Sequence, residues 1–150
     1  MTLACDYAIA RFLPYAETGE FVNVGVALMC AEAGYFDFRL TSNRQRVTEF
    51  FRDLDGAIYT AGLSYFCEEL VALRDALRLQ RKNRADGAFE KDYALAVFRE
   101  LVRPRESLFR FSPARTALMD DPAEYLSELF DCYVDRQAQA LTPRPSAGTR

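Results

Sequence analysis

A run of mostly apolar residues at positions 21–31 constrains the fold more than any other feature of this chain. The run is rich in valine, and it is interrupted by Asn23 and Gly25. A membrane-spanning helix needs about 20 consecutive apolar residues, so this shorter run predicts a β-strand. Two further apolar and aromatic segments, 7–13 and 35–40, flank it across glycine-containing loops. The start of the chain therefore predicts a three-stranded antiparallel meander.

Alternation along these strands predicts which side chains form the core. Successive side chains of a strand point to opposite faces of the sheet, so the even-numbered apolar residues of the second and third strands share one face. The opposite face is at least partly polar, and Arg11 joins it if the first strand pairs in the simplest register. The predicted core face consists of Val22, Val24, Val26, Leu28, Phe36, Phe38 and Leu40, and the predicted polar face includes Asn23, Asp37 and Arg39.

The part of the sequence that follows the predicted meander has the periodicity of helices. Apolar residues recur at spacings of three and four within residues 47–54, 57–81 and 89–102, which predicts three helices. A fourth helix is predicted to begin at Asp121, whose side chain can cap it, with Pro122 at the first helical position.

Residues 108–119, between the third and fourth helices, alternate in character and predict one or two further strands at the sheet edge. The sequence therefore predicts an α+β fold, in which the meander is extended by these later strands and packed on one face by about four helices. Residues 1–137 are predicted to form a single domain. Residues 138–150 contain two prolines and few apolar side chains, and they predict a flexible tail.

Composition excludes several kinds of chemistry. The chain has no histidine, which removes Ser-His and Cys-His nucleophile systems. Its four cysteines are widely separated, so we predict no metal site, no cofactor and no disulfide. The net charge of −3 provides no overall attraction to nucleic acid. With no membrane span and no secretory leader, we expect a cytoplasmic protein.

Four stretches of the sequence together resemble one known family. They are residues 7–14 (YAIARFLP), residues 19–26 (GEFVNVGV), Pro104-Arg105 with Ser112-Pro113, and Asp120-Asp121-Pro122. On these residues the chain is similar to the domain-of-unknown-function 3037 family over positions 7–134. The resemblance implies a small bacterial cytosolic protein, and it implies no activity because none is established for the family. Some members are encoded beside HipA-like serine/threonine kinases, which implies a protein partner.

The polar residues of this pattern form the candidate site. In a functional interpretation they line a small pocket on the exposed sheet face, where arginine binds an anion and amide and hydroxyl groups orient it. In a structural interpretation, which we favour, the same side chains satisfy backbone groups and hold loops together. The candidate residues are Arg11, Glu20, Asn23, Arg105 and Ser112, with Arg115 as a further cation.

Three hypotheses for function follow. The first is a non-enzymatic regulatory or protein-interaction module, with a HipA-like kinase as the partner implied by the resemblance. The alternative is a nucleotide- or nucleic-acid-binding protein that uses the cluster of Arg11, Asn23, Arg105 and Arg115 on the sheet face. The third, an enzyme acting through Glu20 or Tyr15, has the least support because the sequence shows no catalytic constellation around either residue.

Overall fold

The computed structural model describes residues 2–82 and 84–135. The predicted α+β class, the meander, the later strands and the four helices are confirmed. One turn of π-helix, Asp131–Asp135, continues the last helix. The predicted flexible tail, residues 138–150, lies outside the described residues. In chain order the elements are β1 Leu3–Phe12, β2 Val22–Cys30, β3 Tyr35–Leu40, α1 Arg44–Phe50, α2 Gly56–Lys82, α3 Lys91–Val102, β4 Phe109–Phe111, β5 Arg115–Met119 and α4 Pro122–Phe130.

β1 is the central strand of an antiparallel sheet. β2 pairs along one edge of β1, and β3 pairs with the far edge of β2. On the other edge of β1, β5 pairs with residues 3–7 and β4 pairs with residues 10–12. The two later strands therefore follow one another along the same edge of β1. Across the ranges that the structure describes, no helix has both the length and the apolar character needed to cross a membrane.

A β-bulge in β2 changes which side chains share a face. Ala10 pairs with Gly25 and Arg11 pairs with Asn23, which leaves Val24 as an extra residue between two successive pairs. An extra residue in one strand interrupts the alternation of its side chains. Asn23 therefore lies on the same face as its cross-strand partner Arg11.

The prediction that Val22, Val24, Val26 and Leu28 share one face is wrong because of this bulge. Val22 and Val24 belong to a buried cluster that includes residues of α1 and α2. Val26 and Leu28 belong to a second cluster, on the other face, that includes residues of α4.

Helices cover both faces of the sheet, so the expected packing of all four on one face is also wrong. α1, α2 and α3 pack on one face, where Leu70 of α2 and Phe98 of α3 are buried. α4 packs on the other, where Leu126 and Phe130 are buried. The reason is the composition of β2, in which every residue except Asn23 is buried. A strand that is apolar on both sides must be covered on both sides.

Gly25 allows β2 and β3 to approach each other closely. A Cβ built at this position would lie 2.5 Å from the backbone carbonyl oxygen of Arg39 and 2.5 Å from Cδ2 of Leu40. Both distances are far shorter than a normal van der Waals contact. Because one of the two atoms belongs to the neighbouring strand's backbone, a side chain could be accommodated only by moving β3.

Ser112 lies between β4 and β5, and it extends the hydrogen bonding along this edge of β1 beyond the end of β4. Its backbone N–H donates to the carbonyl of Ile9 at 2.8 Å, and its Oγ accepts a hydrogen bond from the N–H of Ile9 at 2.8 Å. The hydroxyl oxygen thus takes the place of a backbone carbonyl just before the chain turns at Pro113. Ser112 is buried, and a buried backbone N–H needs such a partner.

We expect Gly25→Ala to lower the free energy of unfolding by about 1–3 kcal/mol, the usual effect of adding atoms to a filled interior. Equilibrium denaturation in urea measures this change. Gly56→Ala is the matched control, because the added methyl group there meets only the end of the flexible Arg44 side chain, and we expect no loss of stability. Equal unfolding midpoints for Gly25→Ala and the wild type would contradict the close approach of the two strands.

We expect Ser112→Ala to lower the free energy of unfolding by about 1–3 kcal/mol, because it leaves the buried N–H of Ile9 without its acceptor. Amide hydrogen exchange followed by NMR should show faster exchange at Ile9. Ser64→Ala, on the exposed side of α2, is the control, and its effect should stay within about 0.5 kcal/mol. Unchanged protection of the Ile9 amide in Ser112→Ala would show that the hydroxyl is not needed.

Candidate functional site

A cavity of about 280 Å³ opens on the α4 face of the sheet, beside the π-helical turn that follows α4. Several elements contribute to its wall: β1, the start of β2, the corner between β4 and β5, and the π-helical turn. Four of the six predicted site residues line it, and so do two tyrosines and a phenylalanine. The lining includes Arg11, Asn23, Ser112 and Arg115, with Tyr7, Phe21 and Tyr133.

Arg11 is held between the sheet and an aromatic ring. Its guanidinium carbon lies 4.2 Å from the centre of the Phe21 ring, which is the geometry of a cation–π contact. The side chain is half-buried, and its Nε is buried without a hydrogen-bond partner. Burial lowers the pKa of Arg11, and the nearby positive charge of Arg115 lowers it further. The surroundings of Arg11 therefore disfavour its charge.

Positive charge accumulates at this end of the sheet. Arg115, the first residue of β5, is exposed at the cavity. Arg110 on β4 lies directly opposite Arg11, and its Nε donates to the carbonyl of Ser107 at 2.8 Å. Like charges at directly opposite positions of a sheet destabilise it. Three arginines from three strands thus lie close together.

No carboxylate among the described residues forms an ion pair with Arg11 or Arg115. Residues 136–150, which follow the π-helical turn in the sequence, contain neither aspartate nor glutamate. The two guanidinium groups at the cavity are therefore not neutralised by the described part of the chain.

Asn23 joins the sheet to the π-helical turn. Its Nδ2 donates to the backbone carbonyl of Tyr133 at 3.1 Å, and its Oδ1 is buried without a hydrogen-bond partner. Because a carbonyl can only accept, this contact fixes the orientation of the side-chain amide. Asn23 thereby holds Tyr133 at the wall of the cavity.

The hydroxyl of Tyr133 lies among polar groups of the cavity. Burial raises the pKa of Tyr133, and hydrogen bonding to Tyr7 raises it further. The positive charge of Arg115, which lines the same cavity, acts in the opposite direction. The cavity thus brings together hydrogen-bond donors from the two arginines and from the tyrosine pair.

The remaining predicted site residues have other positions or other roles. Ser112 lines the cavity, but its hydroxyl accepts from Ile9, which supports the structural interpretation for this residue. Glu20 lies exposed in the loop before β2, away from the cavity wall. Arg105 follows α3; its Nη2 donates to the carbonyl of Glu100 at 2.9 Å, and it lines a different groove. The structure therefore gathers Arg11, Asn23, Ser112 and Arg115 and leaves out the other two.

Sequence reasoning did not place Tyr7, Phe21 and Tyr133 in the site. Tyr7 lies four residues before Arg11 on β1, so alternation alone could have placed both on one face. Tyr133 lies beyond the end of α4, in the turn Asp131–Asp135. No local pattern predicted the π-helical turn that carries it.

A larger concave surface of about 640 Å³ runs along α2. Its lining is mostly apolar and includes Leu40, Leu63 and Val71. Ligand sites combine apolar walls with a few convergent polar groups, and the smaller cavity has that combination. In the residues described, no cluster of three or more acidic, cysteine or histidine side chains could hold a metal ion.

The arrangement of charges suits a small anion. A guanidinium group can form two parallel hydrogen bonds to a carboxylate or phosphate, and hydrogen bonds between charged groups are about twice as strong as neutral ones. An anion between Arg11 and Arg115 would also offset the repulsion between them. The cavity therefore has the chemistry of an anion-binding site.

The family model "Protein of unknown function (DUF3037)" matches residues 7–134. That range contains every cavity residue named above. No curated protein and no solved structure matches the chain. Since the family model covers well over half of the sequence, the chain belongs to the DUF3037 family.

Proposed function

We propose that this protein is a binding module, and that the cavity between Arg11 and Arg115 binds a phosphate or carboxylate group of its ligand. One observation carries the proposal. Two guanidinium groups from β1 and β5 share one cavity, and neither forms an ion pair with a carboxylate of the described chain.

The environment of Arg11 supports this proposal. Its charge is disfavoured by burial and by Arg115, and a bound anion would reverse the second of these effects. Hydrogen bonds to charged groups contribute about 1.5–3 kcal/mol each. A ligand that contacts both arginines therefore gains binding energy and also removes a repulsion present in the free protein.

The size of the cavity limits the ligand. Typical small-molecule sites enclose roughly 300–1,000 Å³, and this cavity, at about 280 Å³, lies just below that range. It has room for an anionic group and a few attached atoms. A larger ligand would extend out of the cavity over the sheet edge.

A protein partner fits the proposal under one condition. The regulatory or interaction module predicted from the sequence, with a HipA-like kinase as partner, would use this cavity only if the partner presents a phosphate or carboxylate on its surface. The phosphate of a nucleotide, the alternative predicted from the sequence, satisfies the same condition. Arg105 would take no part in either case, because it lies in a different groove.

We expect Arg11→Gln to weaken the binding of inorganic phosphate at least about tenfold, which corresponds to 1.4 kcal/mol. Isothermal titration calorimetry on the full chain at low ionic strength measures the affinity. Arg99→Gln is the matched control, because Arg99 is exposed on α3, on the opposite face of the sheet, and its affinity should equal that of the wild type. The proposal fails if the wild type binds neither phosphate nor acetate. It also fails if Arg11→Gln binds phosphate as tightly as Arg99→Gln does.

We expect Arg115→Gln to raise the free energy of unfolding slightly when no anion is present, because it removes a positive charge that repels Arg11 at the same cavity. The gain should shrink as salt is added, since salt screens exposed charges. Thermal unfolding at about 10 mM and at about 500 mM sodium chloride tests this, because the Debye length falls from about 30 Å to about 4 Å between them. A loss of stability in Arg115→Gln would mean that the two charges do not repel each other.

A further inference from the structure

We propose that the group bound in this cavity is a terminal phosphate monoester, and that Tyr133 is the residue that selects it over a carboxylate. This inference rests on the proposed function, because it presupposes that the cavity binds an anion. It adds the chemical class of the ligand and the residue that determines it.

Charge is the first argument. The two guanidinium groups at the cavity carry about two positive charges, and the described chain supplies no carboxylate to pair with either. A phosphate monoester carries about −1.5 to −2 charge near pH 7, whereas a carboxylate or a phosphate diester carries one negative charge. The monoester therefore comes closest to neutralising the cavity.

The directions of the hydrogen-bond donors are the second argument. Arg11 extends from β1, Arg115 from β5, and Tyr133 from the π-helical turn, so the donors reach the cavity from three separate elements. A carboxylate is planar and offers two oxygens. A phosphate monoester offers three terminal oxygens in a tetrahedral arrangement, and it can accept from all three residues at once.

The position of Tyr133 is the third argument. Asn23 fixes the backbone of Tyr133 through the 3.1 Å hydrogen bond to its carbonyl. Tyr133 lines the same cavity as Tyr7 and Arg115, and its hydroxyl interacts with that of Tyr7. When two hydroxyls form a hydrogen bond with each other, one hydrogen lies between the two oxygens, and the other remains available to donate to a ligand. The tyrosine pair can therefore donate to a ligand oxygen that the arginines do not reach.

The same arguments separate a terminal phosphate from the backbone of a nucleic acid. Each backbone phosphate is a diester, with a single charge and two oxygens used in ester bonds. The cavity encloses about 280 Å³ on one face of the sheet, a volume too small for several successive nucleotides. Phosphate on a small molecule is the chemistry that fits.

The experiment compares three probes with the full chain at pH 8, where methyl phosphate is a dianion. Methyl phosphate is the monoester, dimethyl phosphate is the diester, and malonate is a dianion built only from carboxylates. We expect the wild type to bind methyl phosphate at least about tenfold more tightly than either of the others. Tyr133→Phe should reduce the affinity for methyl phosphate about tenfold and leave the affinity for malonate unchanged.

Tyr125→Phe is the matched control. Tyr125 contacts Tyr7 edge-to-face with ring centres 6.1 Å apart, but it does not line the cavity. Removing its hydroxyl should therefore leave the affinity for each of the three probes unchanged. Equal binding of malonate and methyl phosphate by the wild type would overturn this inference and leave the proposed function standing. The same holds if Tyr133→Phe weakens both probes equally. Failure of all three probes to bind would overturn the proposed function as well.

Discussion

Hydrogen bonds along both edges of β1, combined with helices over both of its faces, fix the arrangement of every other element. Tyr7 and Ile9 of this strand lie under α4, and Ala8 and Ala10 lie on the face of α2 and α3. At its end, the fully buried Phe12 packs edge-on against Tyr59, with ring centres 4.9 Å apart. Since no side of β1 faces solvent along most of its length, the strand can vary only where it leaves the core.

The candidate site lies near the end of β1, where the strand leaves the core. Arg11 follows Ile9 at the next position on the same face, and it stands at the transition from apolar to polar surroundings. The bulge at Val24 then brings Asn23 to the position opposite Arg11. An unbroken ladder would have placed another residue there. One extra residue in β2 therefore places Val26 and Leu28 on the α4 face. It also places Asn23 beside Arg11 at the polar end of the sheet.

Local patterns were sufficient to predict the strands, the helices and the cap at Asp121, whose carboxylate accepts from the N–H groups of Ala123 and Glu124. The division of helices between two faces could not be predicted by alternation, because β2 is apolar on both sides and the bulge leaves no mark in a run of apolar residues. Arg11, Asn23 and Arg115 reach one cavity because they lie in paired strands, whose register determines the face of each side chain. Glu20 and Arg105 lie in loops, whose course the sequence pattern does not determine.

The divided edge of β1 has a consequence for how this fold can diversify. The corner between β4 and β5 borders the cavity, and its residues Pro113 and Ala114 are exposed, while paired strands hold the chain on either side. Insertions or substitutions at Pro113 and Ala114 would reshape the rim of the cavity without disturbing the ladder. Evolution can therefore alter the shape of this cavity at Pro113 and Ala114, while Ser112 keeps its hydrogen bonds to Ile9 and the domain keeps its fold.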